Sequence, residues 1–257
     1  MVIKLQVIAL YTLVRRELVR MFRIASQVFL PPVITTTLYF LIFGSLIGPR
    51  IGTVQGVSYP TFIAPGLIMM SVIVNSYGNV STSLFSVRFQ KSIEELLISP
   101  MRDGLLLFGY VIGGVLRGLI VACLVYLVAS FFLSITFSHL PMTLLVVILV
   151  AAVFSLAGFT NGMLARNFDD VMLVPTFVLT PLTYLGGVFY STDMLPSFWQ
   201  KISMLNPILY MVNALRHVMI GHEEVNFTFA MTIIILMLLS LVALNMILLK
   251  KGVGLRE

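Results

Sequence analysis

The residues of this sequence that could do chemistry are few, and their spacing restricts what that chemistry is. His139, His217 and His222 form no ligand set of the Cys- and His-rich kind that holds zinc. The five lysines all lack a preceding glycine, so no G-x-x-x-x-G-K-[ST] phosphate loop is present. A G-x-S-x-G nucleophile elbow is also missing. What remains is Arg117, a lone cation in an otherwise apolar run, and two polar stripes. One stripe is Ser71, Asn75, Asn79 and Thr82; the other is Thr176, Thr180 and Thr183, followed by Gly187. Residues three or four apart share a helix face. Asn and Thr on such a face either bond to neighbouring helices or line a water-filled path. A buried Arg117 is costly unless it is paired or reaches water. It could line an aqueous cavity and meet an anionic substrate, or it could tie helix-end carbonyls together.

The elements that position these residues follow from the distribution of charge. Of 257 residues only 10% are charged and 59% are hydrophobic. A soluble domain of this length could not cover its surface with so few charges. Disorder is excluded on the same grounds, and a net charge of +6 is too small to indicate a nucleic-acid partner. The stretches 24–49, 51–87, 118–165, 171–192 and 225–249 contain no Asp, Glu, Lys or Arg. A helix crosses the hydrocarbon core with about 20 apolar residues. The longest stretch is broken by Ser138-His139-Leu140-Pro141. The expected fold is therefore an all-α membrane protein of six transmembrane helices, at about 27–47, 62–86, 105–132, 143–165, 171–190 and 227–249. Apolar runs this long favour helices over the short alternating strands of a membrane barrel. No Asp or Glu falls within any expected span, which weakens a proton-coupled carrier and an intramembrane metalloenzyme or aspartyl protease.

An even number of spans puts both termini on one side. Twelve of the sixteen Lys and Arg, including Arg15, Arg16, Arg20, Arg88, Lys250 and Lys251, fall on the side of the termini. Both termini are thus expected to be cytoplasmic. Residues 1–26 read as an N-terminal amphipathic helix, with Ile3, Val7, Leu10, Val14 and Leu18 at steps of three and four. The expectation is that it lies in the membrane interface, the alternative being a helix packed on protein. Residues 27–257 then form the transmembrane domain. Cys123 reads as a packing residue, and Asn79-Val80-Ser81 and Asn226-Phe227-Thr228 as chance matches to the glycosylation pattern.

Three further segments carry information. Gln90 through Pro100 reads as a short cytoplasmic helix, with a possible capping box at Ser92 and Glu95 and an apolar side at Ile93, Leu96 and Leu97. It either connects two spans or docks a cytoplasmic partner. Gly109, Gly113, Gly114 and Gly118 overlap as two G-x-x-x-G patterns, which allow close helix approach. The stretch after the fifth span, from Phe189 and Tyr190 through Pro196, Trp199, Asn206, Pro207 and Tyr210 to Arg216, is too apolar for a free loop. Its prolines divide it into pieces shorter than a span. Short re-entrant external helices between spans five and six are expected, with aromatic residues at headgroup level.

At this point a resemblance is evident. Gly186-Gly187-Val188-Phe189-Tyr190, Leu195-Pro196, Leu205-Asn206-Pro207 and Ala214-Leu215-Arg216 resemble the signature of ABC-2 type transporter permeases. Glu94-Glu95-Leu96-Leu97-Ile98-Ser99-Pro100 is similar to that family's segment after the second span. Pro31-Pro32-Val33-Ile34-Thr35 and the run from Leu173 to Tyr184 are similar to a bacterial inner-membrane branch of it. The resemblance implies a non-catalytic half-transporter of the bacterial cytoplasmic membrane. Two copies would form the path for export of a substrate, driven by two copies of a separate ATP-binding subunit. That partner, not this chain, would hold ATP and Mg. Gln90, Lys91, Ile93, Glu94, Glu95 and Leu97 would belong to the coupling helix. Phe189, Tyr190, Pro196, Trp199, Asn206, Pro207, Tyr210 and Arg216 would belong to the external gate. Ser71, Asn75, Asn79, Arg117, Thr176, Thr180 and Thr183 would line the path or pack helices. The alternatives are a membrane scaffold or assembly factor without transport, and an ion-coupled carrier.

Overall fold

The computed structural model describes residues 2–92, 101–133, 139–221 and 224–253. Among these the fold is all-α apart from one two-residue hairpin. Helix α1 is Val2–Arg23. Helix α2 runs Ala25–Ile51; it contains Pro31 and Pro32 and continues through a π-helical stretch, Phe40–Ile47. Strands β1 (Thr53–Val54) and β2 (Val57–Ser58) pair antiparallel. They are joined by Gln55 and Gly56, both at positive φ, as a tight primed turn requires. Then come α3 (Tyr59–Phe89), α4 (Asp103–Phe132) and α5 (Leu140–Leu164). Helix α6 spans 168–184 in three joined pieces, Phe168–Val174, a π-helical turn Pro175–Leu179, and Thr180–Tyr184. After a short 3-10 turn at Thr192–Met194 follow α7 (Ser197–Met204), α8 (Pro207–Ile220) and α9 (Phe227–Lys251).

Helix boundaries fall where the local chemistry sets them. Proline sits in the first turn of α3, α5 and α8, where its missing N–H costs nothing. Asn167, Asn206 and Asn226 cap α6, α8 and α9 through their side chains. Asn226 is thus a helix cap within the sequence that matched a glycosylation pattern. Gly221 and Gly252 end α8 and α9 in the left-handed conformation.

Five helices among the described residues, α2, α3, α4, α5 and α9, are long and apolar enough to cross a membrane. The fifth expected run, 171–190, differs. Its helix ends at Tyr184 and begins with Asp169 and Asp170 in its first turn. At 1.5 Å per residue, 168–184 reaches about 25 Å, short of a hydrocarbon core of about 30 Å. Pro175 and Pro181 explain the break into pieces, since each removes a backbone donor.

Helices α3 and α5 form the centre. Gly158 of α5 lies against the Tyr77 backbone, and a Cβ at Gly162 would come 2.9 Å from the Ser81 carbonyl. The glycines of α4 divide between two neighbours. Gly114 and Gly118 face Ser155 of α5 and Ser76 of α3, while Gly109 and Gly113 receive Leu13 and Glu17 of α1. Both are the close approaches that small residues permit. Helix α9 is tied to α5 by buried Asn245, whose amide donates to the Leu156 carbonyl at 3.1 Å and whose oxygen accepts from Thr160 at 3.0 Å. Helix α2 is largely exposed, with Leu30, Ile34, Leu38 and Leu46 facing outward. Cys123 is exposed on α4, beside an apolar hollow that also contains Tyr126 and Met219.

Candidate functional site

The polar stripe on α3 is resolved by two arginines from other helices. Asn75 donates to the Ser71 carbonyl, which turns its side-chain oxygen outward to accept from Arg117 Nη2 of α4 at 3.1 Å. One turn further along α3, Asn79 accepts from Arg20 Nη2 of α1 at both its side-chain oxygen (2.9 Å) and its backbone carbonyl (3.1 Å). Thr82 bonds within its own helix, to the Gly78 carbonyl at 2.6 Å.

Arg117 and Asn75 form the inner wall of a recess of about 260 Å³ between α2, α3 and α4. Ser71, Thr35, Thr36 and Tyr39 supply its hydroxyls, and Val28, Leu67, Met70 and Val74 its apolar wall. Pro31 and Pro32 lie along the α2 side, where each removes a donor from the helical hydrogen-bond ladder. Tyr39 leads from the recess into an aromatic cluster. Its ring lies 5.2 Å from Phe189 and 6.0 Å from Phe43, and its hydroxyl is 3.1 Å from that of Tyr184. Phe189 also touches Phe43 at 5.0 Å.

The end of the molecule beyond this cluster is firmly fastened. Arg216 is completely buried and makes four contacts. It donates to the carbonyls of Phe62 (3.4 Å) and Gly187 (2.7 Å), donates to the Asn213 side chain (3.2 Å), and lies 3.9 Å from Glu224. Its guanidinium also stacks over Phe62 at 3.8 Å. Gly66 of α3 leaves room for the 186–188 turn, since a Cβ there would come 2.7 Å from the Val188 carbonyl. Asn206 caps α8 and donates to the Leu182 carbonyl at 2.6 Å, so it holds α6 and α8 together. Tyr59 donates to the Phe189 carbonyl, and Gln55 of the hairpin donates to Ser191. Pro207 opens α8, and the Tyr210 hydroxyl donates to the Met204 carbonyl at 2.7 Å. Tyr190 is half-buried, Pro196 precedes α7 on the surface, and Trp199 is exposed beside Phe198.

At the opposite end α1 lies across α3 and α4. Glu17, only 2% exposed, accepts from Ser83 at 2.7 Å and from Arg20 at 3.0 Å, with Arg16 at 3.5 Å. Arg16 also donates to the Tyr110 hydroxyl at 2.9 Å. Leu5, Val7, Ile8, Tyr11, Val19 and Phe22 remain exposed on the outer side of α1. The helix is therefore packed on protein along one side and offers apolar residues to its surroundings along the other. Gln90 and Lys91 are exposed just after α3, with Lys91 at φ 57°. Ile93, Glu94, Glu95 and Leu97 lie outside the described residues.

Sequence-predicted residues thus separate into groups. Ser71, Asn75 and Arg117 meet in the recess, and Asn79 meets α1 instead. Thr183 is buried and bonded to the Leu179 and Thr180 carbonyls, while Thr180 donates to the Pro175 carbonyl across the π-helical turn. Thr176 is exposed on the outer side of α6, away from the recess. Sequence reasoning missed Tyr39, Phe43, Tyr184 and Glu17. A carboxylate flanked by Arg16 and Arg20 carries no sign of its own burial. The spacing from Tyr39 to Tyr184 likewise carries no sign of their contact. Among the described residues no cluster of three or more His, Cys, Asp or Glu could hold a metal.

The chain was compared with known proteins. The ABC-2 type transporter family matches residues 8–220. The inner membrane transport permease YadH of Escherichia coli K12 is 48% identical over 250 residues, covering 97% of this chain and 98% of the relative. Nodulation protein J of Rhizobium leguminosarum bv. trifolii is 24% identical over 190 residues, covering 74% of this chain and 72% of the relative. Nodulation protein J of Neorhizobium galegae is 22% identical over 215 residues, covering 83% and 82%.

Proposed function

Because this chain belongs to the ABC-2 type transporter family, we propose that it is the membrane-spanning permease of an ATP-binding-cassette exporter. In this reading it moves a substrate outward across the bacterial cytoplasmic membrane on ATP hydrolysed by a separate subunit. The observation that carries the reading is the recess at Arg117 and Asn75, set halfway along α3 and α4 and continuous with the aromatic cluster at Tyr39, Tyr184 and Phe189. A largely apolar recess that holds a cation and several hydroxyls at that depth gives a substrate a place to bind, and the rings beyond it give an external barrier that can part. An ion-coupled carrier needs a titrating carboxylate in a span. Asp103, Asp169 and Asp170 lie in the first turns of α4 and α6, and Glu17, which packs against α3 and α4 from α1, is bound to Ser83, Arg20 and Arg16.

In the same reading α6 is the fifth of six spans, thinning the bilayer locally to match its shorter length, and both termini are cytoplasmic. Helices α7 and α8 re-enter from outside, with Phe198 and Trp199 at headgroup level. Two copies face each other across α6, a pairing supported by the exposed Met172, Leu173, Phe177 and Val178. The segment from Gln90 to Leu97 docks into the ATP-binding subunit, and the buried Glu17 network carries its movement to α3 and α4.

The test is purification of the tagged permease from native membranes, followed by ATPase measurement in lipid nanodiscs. The expected result is co-purification of an ATP-binding-cassette subunit with vanadate-sensitive hydrolysis. Glu94→Lys with Glu95→Lys should abolish that association without altering the thermal stability of the permease. Retained association and hydrolysis in the double variant would remove the docking assignment, and absence of any ATP-binding subunit would remove the exporter reading.

A further inference from the structure

We infer that the Arg117 recess binds the anionic head of an amphiphile, a carboxylate or phosphate attached to an apolar chain. This rests on the exporter reading only where the bound molecule is called its cargo. The first observation is a contrast among the interior arginines of this chain. Arg216 has a hydrogen-bond acceptor for each of its three nitrogens and a carboxylate nearby. Arg20 has Glu17 and both oxygens of Asn79, and Arg16 has Glu17 and Tyr110. Arg117 has one partner, Asn75, and no ion pair among the described residues; its Nε is buried without a partner, as is that of Arg20, so the contrast lies in the missing carboxylate. A guanidinium carries five N–H donors in a planar fork that matches a carboxylate or phosphate. Among the described residues the Nη1 group of that fork has no acceptor.

The second observation is that no carboxylate among the described residues pairs with Arg117. The ten acidic residues are Glu17, Glu94, Glu95, Asp103, Asp169, Asp170, Asp193, Glu223, Glu224 and Glu257. Glu17 reaches α3 and α4 from α1 but is engaged by Ser83, Arg20 and Arg16, and among the other described acidic residues Asp103, Asp169 and Asp170 lie in first turns of helices while Asp193 and Glu224 lie between helices. A second copy carries the same sequence, so its spans bring no carboxylate either. The counter-charge has to come from a ligand.

The third observation is the character of the recess. Leu67, Met70, Val74 and Val28 make it too apolar for a hydrated inorganic ion, while Ser71, Thr35 and Tyr39 offer hydroxyls around the cation. A volume of about 260 Å³ is below the range of pockets that enclose a drug-sized ligand. It holds a head group and leaves a chain outside. Gln27, Pro31, Thr35 and Val74, on the outer edge of the recess, are exposed, and Leu30, Ile34 and Leu38 continue as an apolar track along α2. The chain of the amphiphile lies there.

The permease in phosphatidylcholine nanodiscs is titrated with dansyl-labelled undecanoic acid and with its methyl ester. The wild type should bind the acid about tenfold more tightly than the ester, as a charge-assisted pair requires. Arg117→Gln should reduce that preference to less than about twofold, and Arg117→Lys should retain an intermediate preference, since an ammonium lacks the fork. Thr35→Trp, which fills the outer edge and leaves Arg117 in place at the cost of one hydroxyl, should weaken both probes and serves if Arg117→Gln does not fold. Equal binding of acid and ester by the wild type, an unchanged preference in Arg117→Gln, or unchanged binding in Thr35→Trp would overturn the assignment. Replacing part of the phosphatidylcholine with phosphatidylglycerol separates the sources. Competition identifies a bilayer lipid as the anion, and its absence identifies an exported amphiphile. Probe binding needs no ATP. A wild type without the acid preference but with intact ATP-coupled export overturns only this site, whereas a wild type with the preference but without ATP coupling overturns only the exporter reading.

Discussion

Glu17→Gln tests the link between α1 and the spans most sharply. The carboxylate accepts two close bonds, from Ser83 at 2.7 Å and Arg20 at 3.0 Å, with Arg16 at 3.5 Å contributing less. Hydrogen bonds to a charged group contribute about 1.5–3 kcal/mol each. The arginine side chains are 31% and 40% exposed, so water compensates part of their lost pairing. Glutamine also keeps one acceptor for Ser83 or Arg20. The net cost of docking α1 in the variant is therefore about 2–3 kcal/mol. At 1.4 kcal/mol per factor of ten, the undocked population rises about thirty- to hundredfold. Limited trypsinolysis at Arg16 and Arg20 reads that population when opening and closing are fast relative to cleavage. Cleavage within α1 should accelerate by that factor while cleavage elsewhere does not. A double-mutant cycle with Arg20→Gln should return a coupling of about 1–2 kcal/mol. A cleavage rate within about twofold of the wild type would show that α1 is held by its apolar contacts alone, and the account of a buried electrostatic link would fail.

Other substitutions probe the remaining joints. Arg216→Met leaves Glu224 without its counter-charge and the Phe62 and Gly187 carbonyls without their donor; a cost of about 3–5 kcal/mol should appear as a large loss of thermal stability in detergent. Gly158→Leu drives a side chain into the Tyr77 backbone and should prevent folded protein from eluting as a single species, whereas Gly78→Ala, with open space around it, should be neutral. Asn245→Leu removes both ties from α9 to α5 and should destabilise by about 1–2 kcal/mol, read as a lower unfolding temperature. Phe189→Ala removes the ring shared by Tyr39, Phe43 and Tyr184 and should increase dye leakage from proteoliposomes; unchanged leakage would count against a barrier at that cluster.

The charge-free stretches marked the long helices because lipid tolerates few charges, and that constraint acts on sequence directly. It located α3, α4, α5 and α9 to within a few residues. It overextended the fifth run, since apolar composition continues past Tyr184 while Gly186 and Gly187 turn the backbone. The spacing of Asn75 and Asn79 was visible, but their partners are 42 and 59 residues away on other helices, and no local pattern pairs them. The glycines of α4 announced close approach without saying to what, because one helix face meets α1 and another meets α3 and α5. The amphipathic reading of α1 rested on the spacing of Ile3, Val7, Leu10, Val14 and Leu18 and made nothing of Glu17, which packing buries against α3 and α4. Arg216 stood out as part of an external segment, whereas its burial depends on the Gly187 turn folding back onto α3.

The central claim, ATP-driven outward movement, is tested most directly with inside-out membrane vesicles from cells with and without the permease. Outward export becomes uptake in that orientation. The account predicts that untargeted mass spectrometry finds at least one compound accumulating in the vesicle lumen only when both ATP and the permease are present, with vanadate abolishing the accumulation. Identical contents with and without ATP, in vesicles where the ATP-binding subunit is present and hydrolysing, would contradict it.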